Sequence, residues 1–323
     1  MKQNNSMKEI GQQLMDAESV LLFPHINIDG DALGSCTALC IALRNAGKKA
    51  AILVEEEVPE YVGFLDNGYC TQDHEIFGTP DICMCVDCSE TGRFPKRAET
   101  FVKGKTTICL DHHFTGEPFA DYNYIDGNVA ATCELVYQLL VTMGLEITTE
   151  MAEAIYTGIS TDTGNFQYSN TTKQTHLIAA ELLDKGIDHN KITVLLYQST
   201  RLEKLRITAR ILDNMEVFAD GKGAIAYVSQ AMLEAEGVSM EDTEGAIDLI
   251  RNIKGVEIAA FLKERESNVI KGSMRAKTYG NVAEIAGRFN GGGHIKAAGC
   301  TFYTDLETAC TQLKMAIEES LRD

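Results

Sequence analysis

Residues 19–31 read SVLLFPHINIDGD, an apolar run that ends in a histidine followed by two aspartates. The apolar segment 19–25 predicts a buried strand. The next segment, ALGSCTALCIALRNAG at 32–47, predicts a helix that ends at Gly47, because glycine accepts the left-handed conformation common at helix C-termini. The stretch therefore predicts a strand and a helix with acidic and imidazole side chains at their junction.

The same alternation continues through the first half of the chain. Further short apolar strands are predicted at 48–55, 82–87 and 106–111, and helices at 131–144 and 150–161. Strands that alternate with helices are typical of a parallel sheet that is covered by helices on both faces. The fold class is therefore predicted to be α/β.

After this region the pattern changes twice. A charged helical pattern fills 172–218 and predicts a semi-rigid helical connector. The C-terminal region predicts a smaller mixed α/β domain, with strands at 223–229, 256–265 and 268–277 and helices at 241–253, 281–289 and 305–321. We predict a first domain over 1–185, a connector over 186–218 and a second domain over 219–323.

A glycine-rich segment, GRFNGGGHIKAAGC, occupies 287–300. Successive glycines lose much backbone entropy on folding and offer no side chains to pack, so they are poor members of a regular element. This segment is therefore predicted to be a loop that approaches another group closely.

Aspartates and histidines fall in four places directly after predicted strands or helix ends. They are the His25–Asp31 segment, Asp87, the run 111–113 (Asp-His-His) and Asp162. Ligands of an open parallel sheet bind beyond the carboxyl ends of its strands, so we expect these side chains to converge. Oxygen ligands mixed with imidazole suit Mn²⁺, with Mg²⁺, Co²⁺, Fe²⁺ and Zn²⁺ as competitors, and two such ions are a common device for phosphate ester hydrolysis.

Taken singly, some of these residue types have simpler explanations. An aspartate after a strand is commonly a turn residue or a helix cap, and His74, His176 and His189 stand outside any cluster. The cysteines of ICMCVDCSE, at 82–90, could be soft-metal ligands, but free cysteines are commonly buried as small apolar side chains. The chain also lacks a pair of C-x₂-C motifs, which argues against a structural zinc site.

Composition narrows the class of partner. The net charge is −18, and no basic stripe that could neutralise a long nucleic acid is visible. This favours a short phosphate-containing substrate and argues against long duplex nucleic acid. The apolar stretches are shorter than the roughly 18 residues that span a bilayer, and the polar N-terminal segment lacks a signal-peptide core. We therefore predict a cytoplasmic protein that does not bind membranes.

The four polar segments resemble the motifs of the DHH phosphoesterases. The matching segments are His25–Ser35, 86–93 (VDCSETGR), 111–113 and 161–164 (TDTG). A departure is Ile28, where many members of that family carry proline. In the C-terminal region, Gly291, Gly292, Gly293 and His294 followed by Ala-Ala-Gly, and Ser-Met-Arg275, resemble the accompanying DHHA1 domain.

This resemblance implies a role for each site residue. His25 and Asp29 would bind one divalent metal ion, Asp31, His112 and Asp162 would bind a second, and Asp87 would bridge the two. His113 would face the substrate phosphate, and Asp111 would orient the neighbouring histidine or loop without binding metal. In the second domain, the residues that would bind substrate are Arg275, Gly291, Gly292, Gly293 and His294.

The resemblance also implies an activity, that of the stand-alone nanoRNase/pAp-phosphatase type. Such enzymes use two divalent ions, typically Mn²⁺ with Mg²⁺ or Co²⁺ as alternatives, and a homodimer is plausible. They hydrolyse short oligoribonucleotides to 5′-mononucleotides and 3′-phosphoadenosine 5′-phosphate (pAp) to AMP. Relatives that hydrolyse cyclic di-AMP or pApA are an open alternative, as is an inactive module that only senses a nucleotide.

Overall fold

The structure is a computed structural model that describes residues 4–88, 90–113 and 118–322. Ser89, in the motif at 86–93, lies outside these ranges. The chain divides into two compact units, Met1–Ser199 and Thr200–Asp323. Among the described residues, no helix is both long enough and apolar enough to cross a bilayer.

The first unit contains a six-stranded sheet and seven helices within the described residues. Its strands are β1 (Ser19–Phe23), β2 (Lys49–Leu53), β3 (Cys70–Thr71), β4 (Ile82–Val86), β5 (Thr106–Asp111) and β6 (Tyr122–Ile125). Its helices are α1 (Met7–Asp16), α2 (Gly30–Asn45), α3 (Ala98–Phe101), α4 (Thr132–Thr142), α5 (Thr149–Asp162), α6 (Lys173–Asp184) and α7 (His189–Tyr197). All strand pairs are parallel, in the order β3-β2-β1-β4-β5-β6.

Both faces of this sheet are buried. In β1, Val20 and Leu22 belong to the core shared with α1, α2, α4 and α5, whereas Leu21 and Phe23 pack on the other side with Phe94 and Phe101. The second face is covered by α3 and by short 3₁₀ turns at Thr91–Arg93 and Pro95–Arg97. The predicted parallel α/β sheet with helices on both faces is confirmed, although long helices cover only one face.

Close packing of helices α2, α4 and α5 determines the position of Asp31. A Cβ atom at Gly34 of α2 would lie 2.4 Å from the carbonyl oxygen of Ala154 in α5. A Cβ atom at Gly158 would lie 2.2 Å from Cys133 Sγ and 2.9 Å from Asp31 Oδ1. Only glycine permits this approach, which brings Asp31 against both α4 and α5.

The second unit contains a mixed six-stranded sheet. Its strands are β7 (Glu216–Phe218), β8 (Gly223–Val228), β9 (Ile258–Glu266), β10 (Val269–Ala276), β11 (Gly292–His294) and β12 (Ala297–Phe302). Its helices are α8 (Leu202–Asp213), α9 (Gln230–Glu236), α10 (Ala246–Arg251), α11 (Val282–Gly287) and α12 (Leu306–Ser320). The order is β11-β12-β10-β9-β8-β7, and the pair β8–β9 is parallel whereas the other pairs are antiparallel.

Separate cores lie on the two faces of this second sheet. Met274 packs with Leu313 of α12 on one face, and Phe261 packs with Ile207 of α8 on the other. The helices of the predicted connector 186–218 are therefore shared: α7 belongs to the first unit and α8 to the second.

The prediction of a loop over 287–300 was wrong for much of that segment, because β11 and β12 form an antiparallel pair there. Gly291 and Gly293 are required by the closeness of the two strands. A Cβ atom at Gly291 would lie 2.2 Å from the carbonyl oxygen of Gly299, and Gly293 has a φ of 142°. The predicted helix 241–253 is also interrupted, because Gly245 adopts a φ of 89° between a 3₁₀ turn and α10.

Candidate metal centre

The predicted metal ligands lie at the carboxyl ends of β1, β4 and β5 and near the ends of α2 and α5. The structure brings these side chains of the first unit together. Three overlapping groups have ligand atoms within 4.8 Å of one another: His25, Asp29 and Asp87; Asp31, His112 and Asp162; and Asp87, His112 and His113.

The first group forms around the histidine that follows β1. His25 Nε2 lies 3.5 Å from Asp29 Oδ2 and 3.3 Å from Asp87 Oδ2. Asp29 also caps α2, but it uses its other oxygen, Oδ1, to accept hydrogen bonds from the N–H groups of Asp31 and Ala32. Capping and metal binding are therefore compatible at Asp29.

The second group forms around His112. Its Nε2 atom lies 3.2 Å from Asp162 Oδ2, 3.8 Å from Asp31 Oδ2 and 3.5 Å from Asp87 Oδ1. Asp87 thus presents Oδ1 to His112 and Oδ2 to His25. A carboxylate whose two oxygens face two different groups has the arrangement that a bridging ligand needs.

The N-terminus of α4 holds two of these carboxylates. Thr132 Oγ1 donates to Asp87 Oδ1 at 2.8 Å, and the Thr132 N–H donates to Asp31 Oδ2 at 2.6 Å. The Cys133 N–H donates to Asp31 Oδ1 at 2.8 Å. The first N–H groups of a helix have no partner within the helix and favour negative charge. Sequence reasoning missed Thr132, although its place at the start of the predicted helix 131–144 was an available signal.

Asp87 is also held through its backbone. It adopts a φ of 59°, which is uncommon for an aspartate outside turns and costs about 1 kcal/mol or more. Its N–H donates to the Leu110 carbonyl at 3.0 Å. This left-handed residue directly after β4 turns the chain where the carboxylate enters the cluster.

The Asp111–His113 pair lies beside Asp87. The fully buried Asp111 accepts hydrogen bonds at Oδ1 from His113 Nδ1 at 2.7 Å and from the His113 N–H at 3.3 Å. This hydrogen bond raises the pKa of His113 and outweighs burial, which lowers it. A carboxylate at Nδ1 also fixes the ring orientation. His113 is partly exposed, in keeping with a side chain that could reach a substrate.

The buried carboxylates of the cluster repel one another and are stabilised by positive charge. Burial raises the pKa of Asp31, and the charges of Asp87 and Asp162 raise it further. Burial lowers the pKa values of His25 and His112, but their contacts with the aspartates outweigh burial and raise them to about 9 and about 10. Metal ions require deprotonated ligands and replace such protons. The donor set therefore fits divalent cations, which would supply the charge that the protonated histidines supply here.

Histidines and cysteines outside the cluster have structural contacts. His74 Nδ1 is hydrogen-bonded to Thr100 Oγ1 at 2.7 Å, and the His176 ring stacks on Phe166. All cysteines are free, and most are buried. Among the described residues, none of the groups that could hold a metal contains a cysteine.

The predicted substrate-binding residues belong to the second unit. Arg275 lies in β10 and is half-buried, and its Nη1 donates to the Met274 carbonyl at 3.1 Å. Gly291 precedes β11, whereas Gly292, Gly293 and His294 form that strand and are exposed.

Comparison with protein families matches both units. Residues 19–159 match the DHH family, N-terminal domain, and residues 220–322 match the DHHA1 domain. A bifunctional oligoribonuclease and PAP phosphatase NrnA from Thermus thermophilus is 31% identical over 98% of this chain and 94% of its own length. The protein of the same description from Bacillus subtilis is 26% identical over 91% of this chain and 96% of its own length.

Solved structures agree on the fold. An exopolyphosphatase-related protein from Bacteroides fragilis has a TM-score of 0.90 and 27% identity, with 98% of this chain and 97% of that chain covered. The exonuclease RecJ bound to manganese has a TM-score of 0.57 and 14% identity, with 99% and 95% covered, which shows a likeness in fold. The family and the donor set together establish that this protein uses divalent metal. On its two matching domains and its full-length relatives, the chain belongs to the DHH/DHHA1 family of phosphoesterases.

Proposed function

We propose that this protein hydrolyses short oligoribonucleotides to 5′-mononucleotides and pAp to AMP, with two divalent ions, preferably Mn²⁺. The observation that carries the proposal is the position of Asp87, whose two carboxylate oxygens face His25 and His112 separately. The relatives named oligoribonuclease and PAP phosphatase, which this chain matches over nearly its whole length, support the choice of substrates.

Each ion would have its own set of ligands. His25 and Asp29 would bind one, Asp31, His112 and Asp162 would bind the other, and Asp87 would bridge them. The short distances within the first two groups support this division. Mixed carboxylate and imidazole ligands favour Mn²⁺ over Mg²⁺, which prefers an all-oxygen shell, while Co²⁺ is a further candidate.

When bound, such ions polarise a phosphate oxygen and bring the pKa of water near neutrality. The residues of the chain have separate tasks. Asp87, held by Thr132, fixes the spacing of the ligands, and Asp111 holds His113 so that its Nε2 is directed away from this carboxylate and available to a phosphate oxygen. Arg275 offers a planar fork of donors suited to a phosphate of the nucleotide.

One site can serve both substrates because the two reactions share a step. In each reaction, an oxygen from water attacks phosphorus and the ribose 3′-oxygen leaves. Because water attacks phosphorus, hydrolysis in ¹⁸O-water should place one ¹⁸O in the released phosphate or 5′-phosphate and none in the 3′-hydroxyl. No phosphorylated side chain is required, so none should be trapped. Trapping of a phosphorylated His113, or label in the 3′-hydroxyl, would overturn this mechanism.

A side-by-side rate comparison tests the choice of substrate. Wild-type protein loaded with Mn²⁺ would be assayed on pAp, pApA, cyclic di-AMP and RNA of two to five nucleotides, with the chelated protein as the control. We expect pAp and the short RNAs to be turned over fastest. Faster hydrolysis of cyclic di-AMP or pApA would assign the protein to that class instead, and binding without turnover of any of them would make it a nucleotide sensor.

The bridging role is tested by Asp87→Ala. This variant should lose activity and bind neither ion with wild-type affinity, whereas Asp184→Asn, at an exposed aspartate that ends α6, should retain both properties. Near-wild-type turnover of Asp87→Ala with Mn²⁺ would show that a dinuclear centre bridged by this residue is wrong.

A further inference from the structure

The turn 277–281, which joins β10 to α11, presents an exposed aromatic ring. Tyr279 is 62% exposed, although its neighbour Gly280 is buried against Ile258. An exposed aromatic ring commonly folds back against neighbouring side chains. Here the ring stays exposed, and the backbone that carries it is held in place. The turn is therefore a rigid support for a side chain that has no protein surface covering most of its area.

Glu257, the residue directly before β9, fixes the turn. Its carboxylate accepts hydrogen bonds from the N–H groups of Thr278, Tyr279 and Gly280 at 2.8, 2.7 and 2.7 Å, and from Thr278 Oγ1 at 2.6 Å. Glu257 is only 5% exposed. Four hydrogen bonds to one buried carboxylate define the backbone on both sides of the Tyr279 Cα atom.

The connection between β11 and β12 fixes the same turn. Lys296 Nζ donates to the carbonyls of Thr278 and Gly280, the residues on either side of Tyr279. The Val282 N–H donates to the carbonyl of Ile295 at 2.9 Å. The turn is thus tied directly to the segment that follows His294, so Tyr279 lies on the same part of the second unit as the glycine-rich strand.

Two lysines, Lys277 and Lys296, lie at the turn. The ammonium groups of Lys277 and Lys296 bond to backbone carbonyls, and within the described ranges neither forms an ion pair with a carboxylate. A phosphate is attracted to such cations, and an exposed aromatic ring offers a face to any nucleobase. A tyrosine loses only two side-chain torsions when it is covered, so a ring on a rigid turn stacks at low entropic cost.

We propose that Tyr279 is the stacking platform for the nucleobase of the substrate, and that Glu257 and Lys296 hold the turn in place. This rests on the proposed function, because it assumes a nucleotide substrate. It adds a base-recognition element that tolerates any base, since each base has a π-face, and it leaves phosphate recognition to the cationic side chains.

Steady-state kinetics with pAp and with its abasic analogue, the ribose 3′,5′-bisphosphate without a base, test the platform. Tyr279→Ala should raise the KM for pAp roughly tenfold and leave kcat and the KM for the abasic analogue nearly unchanged. Tyr279→Phe keeps the ring and should behave as wild type. Tyr303→Ala is the matched control, since Tyr303 is 83% exposed and follows the opposite end of β12.

Two outcomes would overturn the platform: an unchanged KM for pAp in Tyr279→Ala, or an equal rise for pAp and the abasic analogue. Titration with the 2-aminopurine analogue of pAp gives a readout that does not need turnover, because stacking on tyrosine should quench its fluorescence in wild type and Tyr279→Phe but not in Tyr279→Ala. A wild-type protein that quenches the probe without hydrolysing pAp would refute the proposed function and keep the platform. Hydrolysis of pAp with no Tyr279-dependent quenching would refute the platform and keep the proposed function.

Discussion

Replacing Thr132 by valine removes one hydroxyl from beneath the carboxylate of Asp87, the proposed bridging ligand, and changes the side-chain shape very little. Thr132 is fully buried, and its Oγ1 donates to Asp87 Oδ1 at 2.8 Å. The Thr132 N–H group, which donates to Asp31, remains in the variant. The substitution therefore removes the hydroxyl hydrogen bond to Asp87 and leaves the contact between Asp87 Oδ2 and His25 in place.

The expected magnitude follows from the charge on the acceptor. A hydrogen bond to a charged group contributes about 1.5–3 kcal/mol, and loss of a group that orients a metal ligand typically costs about 10- to 100-fold in metal affinity. This hydrogen bond is also present without metal, so only the part of its energy that is gained on metal binding affects the affinity. We therefore expect the lower end, a fall of roughly tenfold in Mn²⁺ affinity.

Calorimetric titration of the chelated protein with Mn²⁺ measures this change. Thr132→Ser keeps the hydroxyl and should restore most of the affinity. Thr37→Val is the control, because Thr37 is also buried but its hydroxyl lies 3.4 Å from the carbonyl of Leu65. Mn²⁺ affinity of Thr132→Val within twofold of the Thr37→Val value would refute the view that this hydroxyl orients Asp87 as a metal ligand.

Further changes test other parts of the molecule. Arg275→Ala should weaken nucleotide binding by about 1.5–3 kcal/mol and leave Mn²⁺ titration unchanged; an equal loss of metal affinity would contradict its assignment to substrate. RNA beyond a handful of nucleotides should gain little rate, and a rate that climbs steadily to lengths of about 20 would contradict the short-substrate proposal. Gly158→Ala should destabilise the first unit by about 1–3 kcal/mol in urea unfolding, because its Cβ atom would overlap Cys133 Sγ. In the chelated protein, the raised pKa of His25 stabilises the folded state below pH 6.5, and this contribution should be lost as the pH rises towards about 9; equal unfolding midpoints at both pH values would argue against it.

The sequence predicted the site best where a candidate metal ligand directly follows an apolar strand. His25, Asp87 and Asp111 each follow an apolar run, and runs of that kind between helices predict parallel strands, so the clusters could be assigned to one edge of a sheet. What the residues could not reveal is the pairing of those strands. The order β1-β4-β5 is a tertiary property, and it decides that Asp87 lies between the other two.

The elements that sequence reasoning missed have weak local signals. The strand β6 reads YNYI, with a polar residue inside four, and β11 reads GGH. Strand propensity is low in β11, and β6 has only four residues with an asparagine among them, so their pairing depends on neighbours that are distant in sequence. For β11 the decisive contact is with Gly299, whose carbonyl leaves no room for a side chain at Gly291. Long-range contacts of this kind carry no periodic pattern.

Helix ends act in opposite ways on two carboxylates of the cluster, Asp31 and Asp162. Asp31 accepts hydrogen bonds from N–H groups at the start of α4, where a helix favours negative charge, although burial and the charges of Asp87 and Asp162 still raise its pKa. Asp162 is the last residue of α5, where the helix dipole disfavours a carboxylate, and burial raises its pKa. In the described part of the cluster, its compensating contact is with His112 Nε2 at 3.2 Å. A divalent ion held by His112 and Asp162 would replace the proton on His112 and offset the unfavourable helix end at Asp162.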